Sequence, residues 1–257
     1  MEKNIVAVGE NTVARFFYKT LDSTNTEARR YAMGGGSVPA LFCADSQTAG
    51  RGRMGRSFYS PSGTGIYLSL LLEVTDDAPA SVVKITSAAA VAVGRVIQRL
   101  TDKHTSIKWV NDIYLNGRKV CGILAESFFS DRKRFVVIGV GINLSTSDFP
   151  EELTGVAGSL GVDASEGLKQ KMAVQICTEL CGVYELIKQG DCSYMQEYRE
   201  RSAVLGKRVT FTENGVSREG VALSVDDSGG LEIACDGGER ITLNSGEIKL
   251  RLTEGKI

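Results

Sequence analysis

The sequence is poor in residues on which several common catalytic sites depend. Its 257 residues include one histidine, His104, and one tryptophan. A Ser/His/Asp or Cys/His catalytic set needs an imidazole beside the nucleophile, and His104 is part of no such pattern. The six cysteines include no CxxC pair. Cys177 and Cys181, four residues apart in a predicted helix, are interpreted as reduced, buried apolar side chains and not as a paired metal site.

The chain also lacks an excess of charge and a long apolar run. Thirty basic residues stand against 31 acidic ones, which leaves a formal net charge of -1 at pH 7. Such a balance gives no general attraction to nucleic acid or to an anionic membrane. The first ten residues have neither the basic start nor the apolar core of a secretion signal, and no apolar stretch reaches the length of a membrane span. A cytoplasmic protein without a membrane partner is predicted.

The hydrophobic pattern predicts an α+β protein. In chain order, the predicted elements are a strand at 13–21, a helix at 27–33, strands at 40–44 and 66–74, a helix at 79–100, a β-meander over 106–144, and helices at 168–188 and 192–203. After Leu205, four or five short alternating strands are separated by turns rich in Gly and Asn, which predicts a small all-β barrel. The expected division is residues 1–204 for a catalytic domain and 205–257 for the barrel.

The most distinctive local feature is the segment GlyArgGlyArgMetGlyArg at residues 50–56, called here the arginine loop. Its glycines let the backbone approach a ligand, and its arginines favour bidentate binding of carboxylate or phosphate. The spacing fits the GxGxxG motif of dinucleotide-binding folds, but the following SerPheTyrSerPro cannot begin the helix which that motif requires. An RNA-binding RGG segment or a solvated basic turn would have a similar composition. We interpret the segment as an anion-binding loop.

A second group of charged and amide residues lies on the predicted β-meander. Its members are Lys108, Asn111, Asp112, Lys119 and Gly122. The lysines can place ammonium groups beside phosphates, and Asn111 and Asp112 can hold Mg²⁺ or its waters. Read alone, the segment is also compatible with an ordinary hairpin that has a basic turn. Together with the arginine loop, it suits the attack of a carboxylate on the α-phosphate of ATP, which needs positioning and neutralised charge but no covalent nucleophile.

These motifs resemble those of bacterial biotin–protein ligases. Residues 47–56 and 108–126 are similar to the two signature segments of that family, and SerThrAsn at 23–25, GlyIleTyrLeuSer at 65–69 and GlyValGlyIleAsn at 139–143 follow in the family's order. The resemblance implies a class II synthetase-like catalytic domain, with a central mixed β-sheet flanked by helices, followed by an SH3-like barrel. It also implies that biotin is activated with ATP to biotinyl-5′-AMP and transferred to a lysine of a biotin carboxyl carrier protein or domain.

Carried over position by position, the resemblance implies three groups of site residues. Biotin is expected to meet Ser23, Thr24, Asn25, Gln47, Gly50, Arg51, Gly52, Arg53, Lys119 and Gly122. ATP is expected to meet Arg53, Arg56, Lys108, Asn111, Lys119 and Asn143. Catalysis is expected to depend on Arg53, Lys119 and Asp112, of which Asp112 receives the proton of the acceptor amine. Mg²⁺ is expected to be held mainly by the phosphates of ATP.

The sequence departs from the family pattern at three positions of these segments. Met54 replaces a common basic residue, Phe58 a common tryptophan and Val110 a common proline. The departures leave the residues needed for the chemistry in place and concern the adenosine pocket and the ordering of the arginine loop.

Two further functions are compatible with parts of the sequence. A lipoate or octanoate ligase uses a similar AsnAsp and GlyArgLys hairpin, but its glycine-rich loop lacks the GRGRxGR pattern. A non-catalytic nucleic-acid or peptide-binding module is disfavoured because Phe211 is the only aromatic residue after Tyr198. The catalytic segment starts almost at the first residue, so neither a DNA-binding helix-turn-helix nor a DNA partner is expected. Pairing of sheet edges could form a homodimer.

Overall fold

The computed structural model describes residues 1–8, 11–74, 82–213, 215–246 and 248–250. Its strands are β1 (Glu2–Val8), β2 (Asn11–Leu21), β3 (Ala40–Gln47), β4 (Gly65–Val74), β5 (Ser106–Lys108), β6 (Asp112–Leu115), β7 (Arg118–Ser130), β8 (Lys133–Asn143), β9 (Arg208–Glu213), β10 (Val216–Val225), β11 (Leu231–Cys235), β12 (Arg240–Leu243) and β13 (Ile248–Leu250). Its helices are α1 (Thr24–Met33), α2 (Val82–Thr101), α3 (Glu166–Lys188) and α4 (Tyr194–Glu200). In the described part, no helix combines the length and apolar composition that a membrane crossing requires.

The first eight strands form one mixed sheet in the order β1-β2-β3-β4-β8-β7-β6-β5. β2 and β3 run parallel, and the remaining neighbours in this sheet are antiparallel. Because side chains alternate between the two faces of a strand, Phe16 and Phe42 pack with α1, whereas Val13 and Leu41 belong to the apolar cluster on the other face, which includes residues of α2 and α3. The predicted α+β fold with a mixed sheet flanked by helices is confirmed.

The predicted β-meander forms one half of this sheet and carries the candidate site residues between Lys108 and Asn143. Asn116 and Gly117 both have positive φ, 51° and 74°, as the tight turn between β6 and β7 requires. Where one strand was predicted before this turn, residues 109–111 interrupt the ladder and separate β5 from β6. The interruption places Asn111 beside the end of the hairpin, where its Nδ2 donates to Ile123 O at 2.9 Å.

Three elements differ from the sequence prediction. β1 was not predicted and forms a hairpin with β2. α1 begins at Thr24, three residues earlier than expected, with Ser23 in the N-cap position and no side-chain cap hydrogen bond. α4 ends at Glu200, because the next residues pair with β5: Ile107 N donates to Arg201 O and Ala203 N donates to Ile107 O, both at 2.7 Å. The predicted helical residues 79–81 lie outside the described residues.

The last five strands form an antiparallel sheet in the order β12-β11-β10-β9-β13, which agrees with the expected SH3-like barrel. Val209, Phe211 and Leu231 are buried in it and belong to the same apolar cluster as the α2 side of the large sheet. Trp109 Nε1 donates to Gly229 O at 2.9 Å across this junction. The second sheet is thus packed directly against the turn that separates β5 from β6.

Candidate active site

Two adjoining pockets open where the start of α1, the arginine loop and the middle of β7 and β8 meet. With the space at their mouths included, the inner pocket has a volume of about 460 Å³ and the outer pocket a volume of about 1110 Å³. The inner pocket is lined by residues that include Ser23, Thr24, Asn25, Gln47, Arg51 and Gly122. The outer pocket is lined by residues that include Arg56, Lys108, Trp109, Asp112, Asn143 and Phe149. A shared wall of both pockets consists of Gly52, Arg53, Phe58, Asn111 and Lys119.

The floor of the inner pocket is made of glycines on β7 and β8. Gly122 and Gly141 are partners across the two strands, and Gly139 lies two residues before Gly141 on the same face. A Cβ atom on Gly139 would lie 2.1 Å from Asn25 Oδ1, and one on Gly141 would lie 2.4 Å from a ring carbon of Phe58. Only residues without a side chain leave room for Asn25 and Phe58 to reach the pocket.

Polar side chains at the start of α1 form one wall of the inner pocket. Gln47 Oε1 accepts a hydrogen bond from Thr24 N at 2.8 Å and lies 3.2 Å from Thr24 Oγ1, and Gln47 Nε2 donates to Ser60 Oγ at 2.9 Å. Ser69 Oγ lies 2.6 Å from Asn25 Oδ1 and 2.7 Å from Thr24 Oγ1. Thr24, Asn25 and Ser69 are buried. The wall therefore presents amides and hydroxyls whose directions are already fixed by the protein.

The arginine loop is closed by its own backbone. Gly52 N donates to Arg56 O at 2.7 Å, and Phe58 N donates to Gly50 O at 2.9 Å. A Cβ atom on Gly50 would lie 2.4 Å from Phe58 O, so this position needs glycine. Met54 at the tip has a φ of 55° and an exposed side chain. The loop is short enough to bring all three arginine side chains to the two pockets.

The three arginines of the loop have different surroundings. Arg51 forms a bidentate ion pair with Glu126, at 2.8 and 3.0 Å. Arg53 donates to Asn111 Oδ1 and to Gly246 O, both at 3.0 Å. The carbonyl of Gly246 precedes β13, so the second sheet helps to orient a side chain of the shared wall. The third arginine lines the outer pocket.

An ion pair stands where the outer pocket meets the shared wall. Lys119 Nζ lies 2.7 Å from Asp112 Oδ1, and Asp112 is the partner of Gly122 across β6 and β7. The backbone of Lys119 is fixed from the other side, since Lys119 N donates to Val156 O at 2.9 Å and Gly158 N donates to Lys119 O at 2.8 Å. The backbone of Lys119 is therefore fixed on this side, and its ammonium group is paired with Asp112 where the two pockets meet.

Apolar side chains and one buried amide form the far side of the outer pocket. Trp109, Phe149 and Leu153 line it. Asn143 is buried; its Nδ2 donates to Gly158 O at 2.9 Å, whereas its Oδ1 has no hydrogen-bond partner among the described residues. Buried acceptors normally have a donor. Flat apolar walls beside such an acceptor fit an aromatic heterocycle that carries an amino group.

Oxygen donors for a metal ion are few. In the ranges that the structure describes, no group of three or more His, Cys, Asp or Glu side chains is arranged to hold a metal ion. Asp112 and Asn111 line the outer pocket, and both already contact neighbouring cations. This donor set fits Mg²⁺ that keeps its waters and phosphate ligands, as this ion usually does. It does not fit a metal ion that the protein holds alone.

The cysteines are unpaired thiols. Burial raises the pKa of Cys43 to about 11 and also raises the pKa of Cys121, which lies next to the shared wall. Thiols of raised pKa are poor nucleophiles. These two cysteines therefore serve as apolar packing groups, in agreement with the lack of a cysteine-based catalytic pattern in the sequence.

The residues predicted from the sequence lie around the two pockets. Every predicted biotin residue except Gly50 lines the inner pocket, and every predicted ATP residue lines the outer one. Gly50 lies beneath Phe58 and shapes the loop instead. Asp112 lines the outer pocket beside Lys119. The geometry brings these residues together, and their individual roles stay predictions.

The residues at the site to which no role was predicted include Ser69, Glu126, Gly139 and Gly141. A hydroxyl in the apolar strand β4 and a carboxylate in β7 were usable signals, because a polar side chain in a strand with a buried face requires a partner. The alternate glycines of β8 were a third signal. The sequence contained no signal for the apolar wall formed by residues 149–157, since that loop has no periodic pattern.

Known proteins share both parts of this architecture. Residues 17–143 match the Biotin/lipoate A/B protein ligase family, and residues 204–251 match the Biotin protein ligase C terminal domain. The chain is 31% identical over 234 residues to the Biotin--[acetyl-CoA-carboxylase] ligase of Mycobacterium tuberculosis, a match that covers 88% of this chain and 85% of that protein. It is 40% identical over 163 residues to the Bifunctional ligase/repressor BirA of Bacillus subtilis, covering 62% of this chain and 50% of BirA.

The fold has a matching solved structure. The biotin protein ligase from Aquifex aeolicus in complex with biotin and ATP superimposes with a TM-score of 0.78 at 26% identity, over 92% of this chain and 98% of that chain. The chain belongs to the biotin/lipoate A/B protein ligase family. Within that family, its second match and these relatives make it similar to the biotin protein ligases. It spans about half the length of the Bacillus relatives that it matches.

Proposed function

We propose that this protein is a biotin–protein ligase, which forms biotinyl-5′-AMP from biotin and ATP and then transfers biotin to a lysine of a carrier protein. The observation that carries the proposal is the shared wall. Arg53, Asn111 and Lys119 line both pockets, so the carboxylate of one substrate and the α-phosphate of another can meet beside two cations. The relatives named as biotin ligases, and the Aquifex complex with biotin and ATP, support the same pair of substrates.

The inner pocket is proposed to hold the bicyclic ring of biotin. A ureido ring has two N–H donors and a carbonyl acceptor, and the wall at the start of α1 offers complementary amides and hydroxyls. The proposed ring contacts are Ser23, Thr24, Asn25 and Gln47. Arg51 and Gly52 close the pocket on the side of the loop, Gly50 shapes that loop, and Gly122 forms the floor.

Adenylate formation is proposed to occur at the shared wall. A carboxylate oxygen of biotin attacks the α-phosphorus, so that a new P–O bond forms while the bond from this phosphorus to pyrophosphate breaks. Negative charge develops on the phosphate oxygens and on the leaving group. Arg53 and Lys119 are proposed to neutralise it, since cations already held in position stabilise a transition state without further rearrangement.

The outer pocket is proposed to hold the nucleotide. The adenine ring is proposed to lie among Trp109, Phe149 and Leu153, with its amino group donating to Asn143 Oδ1. Arg56, Lys108 and Asn111 are proposed to serve the ribose and phosphates. Mg²⁺ would be held mainly by those phosphates, with Asp112 and Asn111 as the nearest oxygen donors of the protein, and would neutralise phosphate charge.

Transfer needs a group that accepts a proton. The acceptor amine attacks the carbonyl carbon of the adenylate, AMP leaves with the bonding electrons, and one proton of the amine must be removed. Asp112 is proposed to receive that proton, because its carboxylate lines the outer pocket and lies beside Lys119 at the shared wall. General-base assistance of this kind commonly contributes about 10²- to 10⁴-fold to a rate.

The proposed protein partner is a biotin carboxyl carrier protein or domain, as the names of the acetyl-CoA-carboxylase ligases suggest. The unpaired cysteines support a reducing compartment, and we propose the cytoplasm. The repressor role in the name BirA is not extended to this chain, so no DNA partner is proposed. A homodimer that pairs β1, an edge strand of the large sheet, is proposed as the assembly to test by sedimentation.

The experiment combines the protein with ATP, Mg²⁺, biotin and a purified biotin carboxyl carrier domain. The expected result is release of pyrophosphate and a gain of one biotinyl group on the carrier, detected by intact mass. A carrier whose acceptor lysine is replaced by arginine is the matched control and should stay unmodified. ATP consumption that does not depend on biotin, with an unmodified carrier, would reject the proposal.

A lipoate or octanoate ligase is the second candidate, because the matching family includes lipoate ligases. Lipoate carries a dithiolane ring without N–H or carbonyl groups, and octanoate carries no ring. Either acid would leave the buried amides and hydroxyls of the inner pocket without partners from the substrate, which lowers affinity. The polar wall at Thr24, Asn25 and Gln47 therefore favours biotin.

A further inference from the structure

Glu126 occupies an unusual position beside the inner pocket. It lies on β7, a strand with one buried face, and its side chain is 28% exposed. Its two oxygens accept both guanidinium hydrogen bonds of Arg51, at 2.8 and 3.0 Å. One of them also accepts a hydrogen bond from Asn25 Nδ2 at 2.9 Å. One carboxylate thus connects the arginine loop to the first turn of α1.

The contacts of Glu126 belong to a longer chain of hydrogen bonds that starts and ends at the arginine loop. In order, its members are Arg51, Glu126, Asn25, Ser69, Thr24, Gln47, Ser60 and the carbonyl of Phe58. The link from Thr24 to Gln47 is the one made by the backbone N–H of Thr24, since the hydroxyl protons of Thr24 and Ser69 serve the bonds to Ser69 and Asn25. The bond from Phe58 N to Gly50 O closes the chain into a ring. The side chains around the inner pocket are therefore connected to one another, and Glu126 is the member of this ring that carries a negative charge.

Glu126 also determines how the amide of Asn25 is oriented. An ionised carboxylate accepts hydrogen bonds and cannot donate them, so the Nδ2 of Asn25 faces Glu126 and the carbonyl of Leu124. The Oδ1 of Asn25 then lies over Gly139, on the pocket floor. Asn25 thereby presents an acceptor, and not a donor, toward the space where an N–H group of a ligand would bind.

We propose that Glu126 is a positioning residue that fastens the arginine loop to α1 and fixes the amide of Asn25, and so sets the affinity for the ring of the acid substrate. Glu126 lines neither the inner nor the outer pocket, so it is not placed to touch the reacting groups. Its loss should weaken substrate binding while the chemical step continues with Arg53 and Lys119 in place. The identity of the ring as that of biotin rests on the proposed function, whereas the fastening of the loop does not.

A surface ion pair without such a role is the matched comparison. Glu73 on β4 pairs with Lys133 on β8 at 3.0 Å, and its side chain is 34% exposed, close to the value for Glu126. Glu73, Lys133 and Glu126 all lie outside the lining of the two pockets, but Glu126 bonds to Arg51 and Asn25, which line the inner pocket. Glu73→Gln removes the same charge from the same sheet as Glu126→Gln, so a difference between the two variants reports the connection to the pocket.

The first readout is limited trypsin digestion of the ligand-free protein, because trypsin cuts after Arg51, Arg53 and Arg56. Glu126→Gln should speed cleavage at these bonds about 10-fold, since charge-assisted hydrogen bonds hold the loop closed. Glu73→Gln should leave the rate unchanged, and thermal midpoints of all samples separate local opening from global unfolding. If Glu126→Gln does not fold, Glu126→Asp and Glu126→Ala are compared instead. Glu126→Asp keeps the carboxylate, so its cleavage should be slower than that of Glu126→Ala.

The second readout is the kinetics of adenylate formation. Glu126→Gln should raise KM for biotin about 10-fold and leave kcat within about two-fold of the wild type, while KM for ATP stays unchanged. The proposal would be overturned if Glu126→Gln were cleaved at the wild-type rate and kept the wild-type KM for biotin. It would also be overturned if Glu73→Gln showed changes in cleavage rate and KM as large as those of Glu126→Gln. If the wild-type protein forms no biotinyl adenylate, the proposed substrate is wrong, and the trypsin comparison still judges the fastening of the loop.

Discussion

The inner and outer pockets share a wall but are built in opposite ways. In the inner pocket, Thr24 bonds to Gln47, Gln47 bonds to Ser60, and Asn25 bonds to Glu126. In the outer pocket, Asn143 Oδ1 is a buried acceptor without a partner in the described structure, next to apolar walls and basic side chains. The polar side chains of the inner pocket bond to other protein groups, whereas the outer pocket contains a buried acceptor that no described protein group satisfies.

The difference follows from what each ligand offers. A neutral ring binds weakly through any one hydrogen bond, so the protein must fix the directions of several donors and acceptors in advance. A nucleotide brings its own charge, and cations attract it over a longer range. Affinity for the ring should therefore depend on geometry, and affinity for the nucleotide on charge and on a few contacts.

The largest expected effect concerns the shared wall. A residue there lines both pockets, so its replacement should not affect one substrate alone. Lys119→Met removes a cation that touches both pockets, and adenylate formation should fall about 1,000-fold because charge on the phosphates is no longer neutralised. Pyrophosphate release in the presence of biotin measures it. Lys133→Met, which removes an exposed lysine paired with Glu73, is the control. A loss below about ten-fold for Lys119→Met would contradict the proposed role.

The next effect separates the two chemical steps. Asp112→Asn removes the proposed proton acceptor but keeps the size of the side chain, so adenylate should still form while transfer to the carrier slows about 100-fold. Single-turnover transfer from the preformed adenylate isolates the second step. Equal losses in both steps would show that Asp112 acts by positioning Lys119 and not by accepting the proton.

The floor of the inner pocket tests the dependence on geometry. Gly139→Ala places a methyl group where Asn25 Oδ1 now lies, so Asn25 must move, and biotin affinity should fall about 30-fold, as expected for overpacking of a fixed site. Calorimetry with biotin and with ATP measures both affinities. Gly182→Ala in α3, where a Cβ meets nothing within 4 Å, should leave both affinities unchanged. An equal loss for ATP would mean that the pockets are not independent.

The smallest expected effects come from one variant in each pocket, with the affinities for ATP and for biotin measured for both variants. Asn143→Leu removes the buried acceptor of the outer pocket and should weaken ATP about 10-fold with little change in biotin affinity. Ser69→Ala removes a hydroxyl of the inner wall and should weaken biotin binding with little change in ATP affinity. If the two variants affect the same ligand, the division of the site into a ring pocket and a nucleotide pocket is wrong.

The sequence was informative where function constrains local chemistry. The arginine loop and the lysines of the β-meander could be found from their residue types, whereas the expected role of Asn143 came from the family resemblance. The α+β fold followed from periodicity. The length of α4 could not be predicted, because the residues after Glu200 leave the helix to pair with β5, a contact that depends on tertiary packing.

Other parts of the site depend on contacts between residues that are far apart in the chain. Glu126 meets Arg51 across 75 positions, and Gly246 meets Arg53 across 193. A carboxylate in a strand signals that a partner exists but does not identify it. The carbonyl of a glycine in a turn gives no signal at all, since every residue has one. These connections require the structure.

A competition among three acids tests most directly whether the two pockets bring biotin and ATP together. Equal amounts of biotin, lipoate and octanoate are mixed with the protein, ATP and Mg²⁺, and the acyl adenylates are separated and identified by mass. We expect biotinyl-AMP from the wild-type protein and almost none from Lys119→Met. Lipoyl- or octanoyl-AMP as the main product, or no adenylate, would contradict the proposed function.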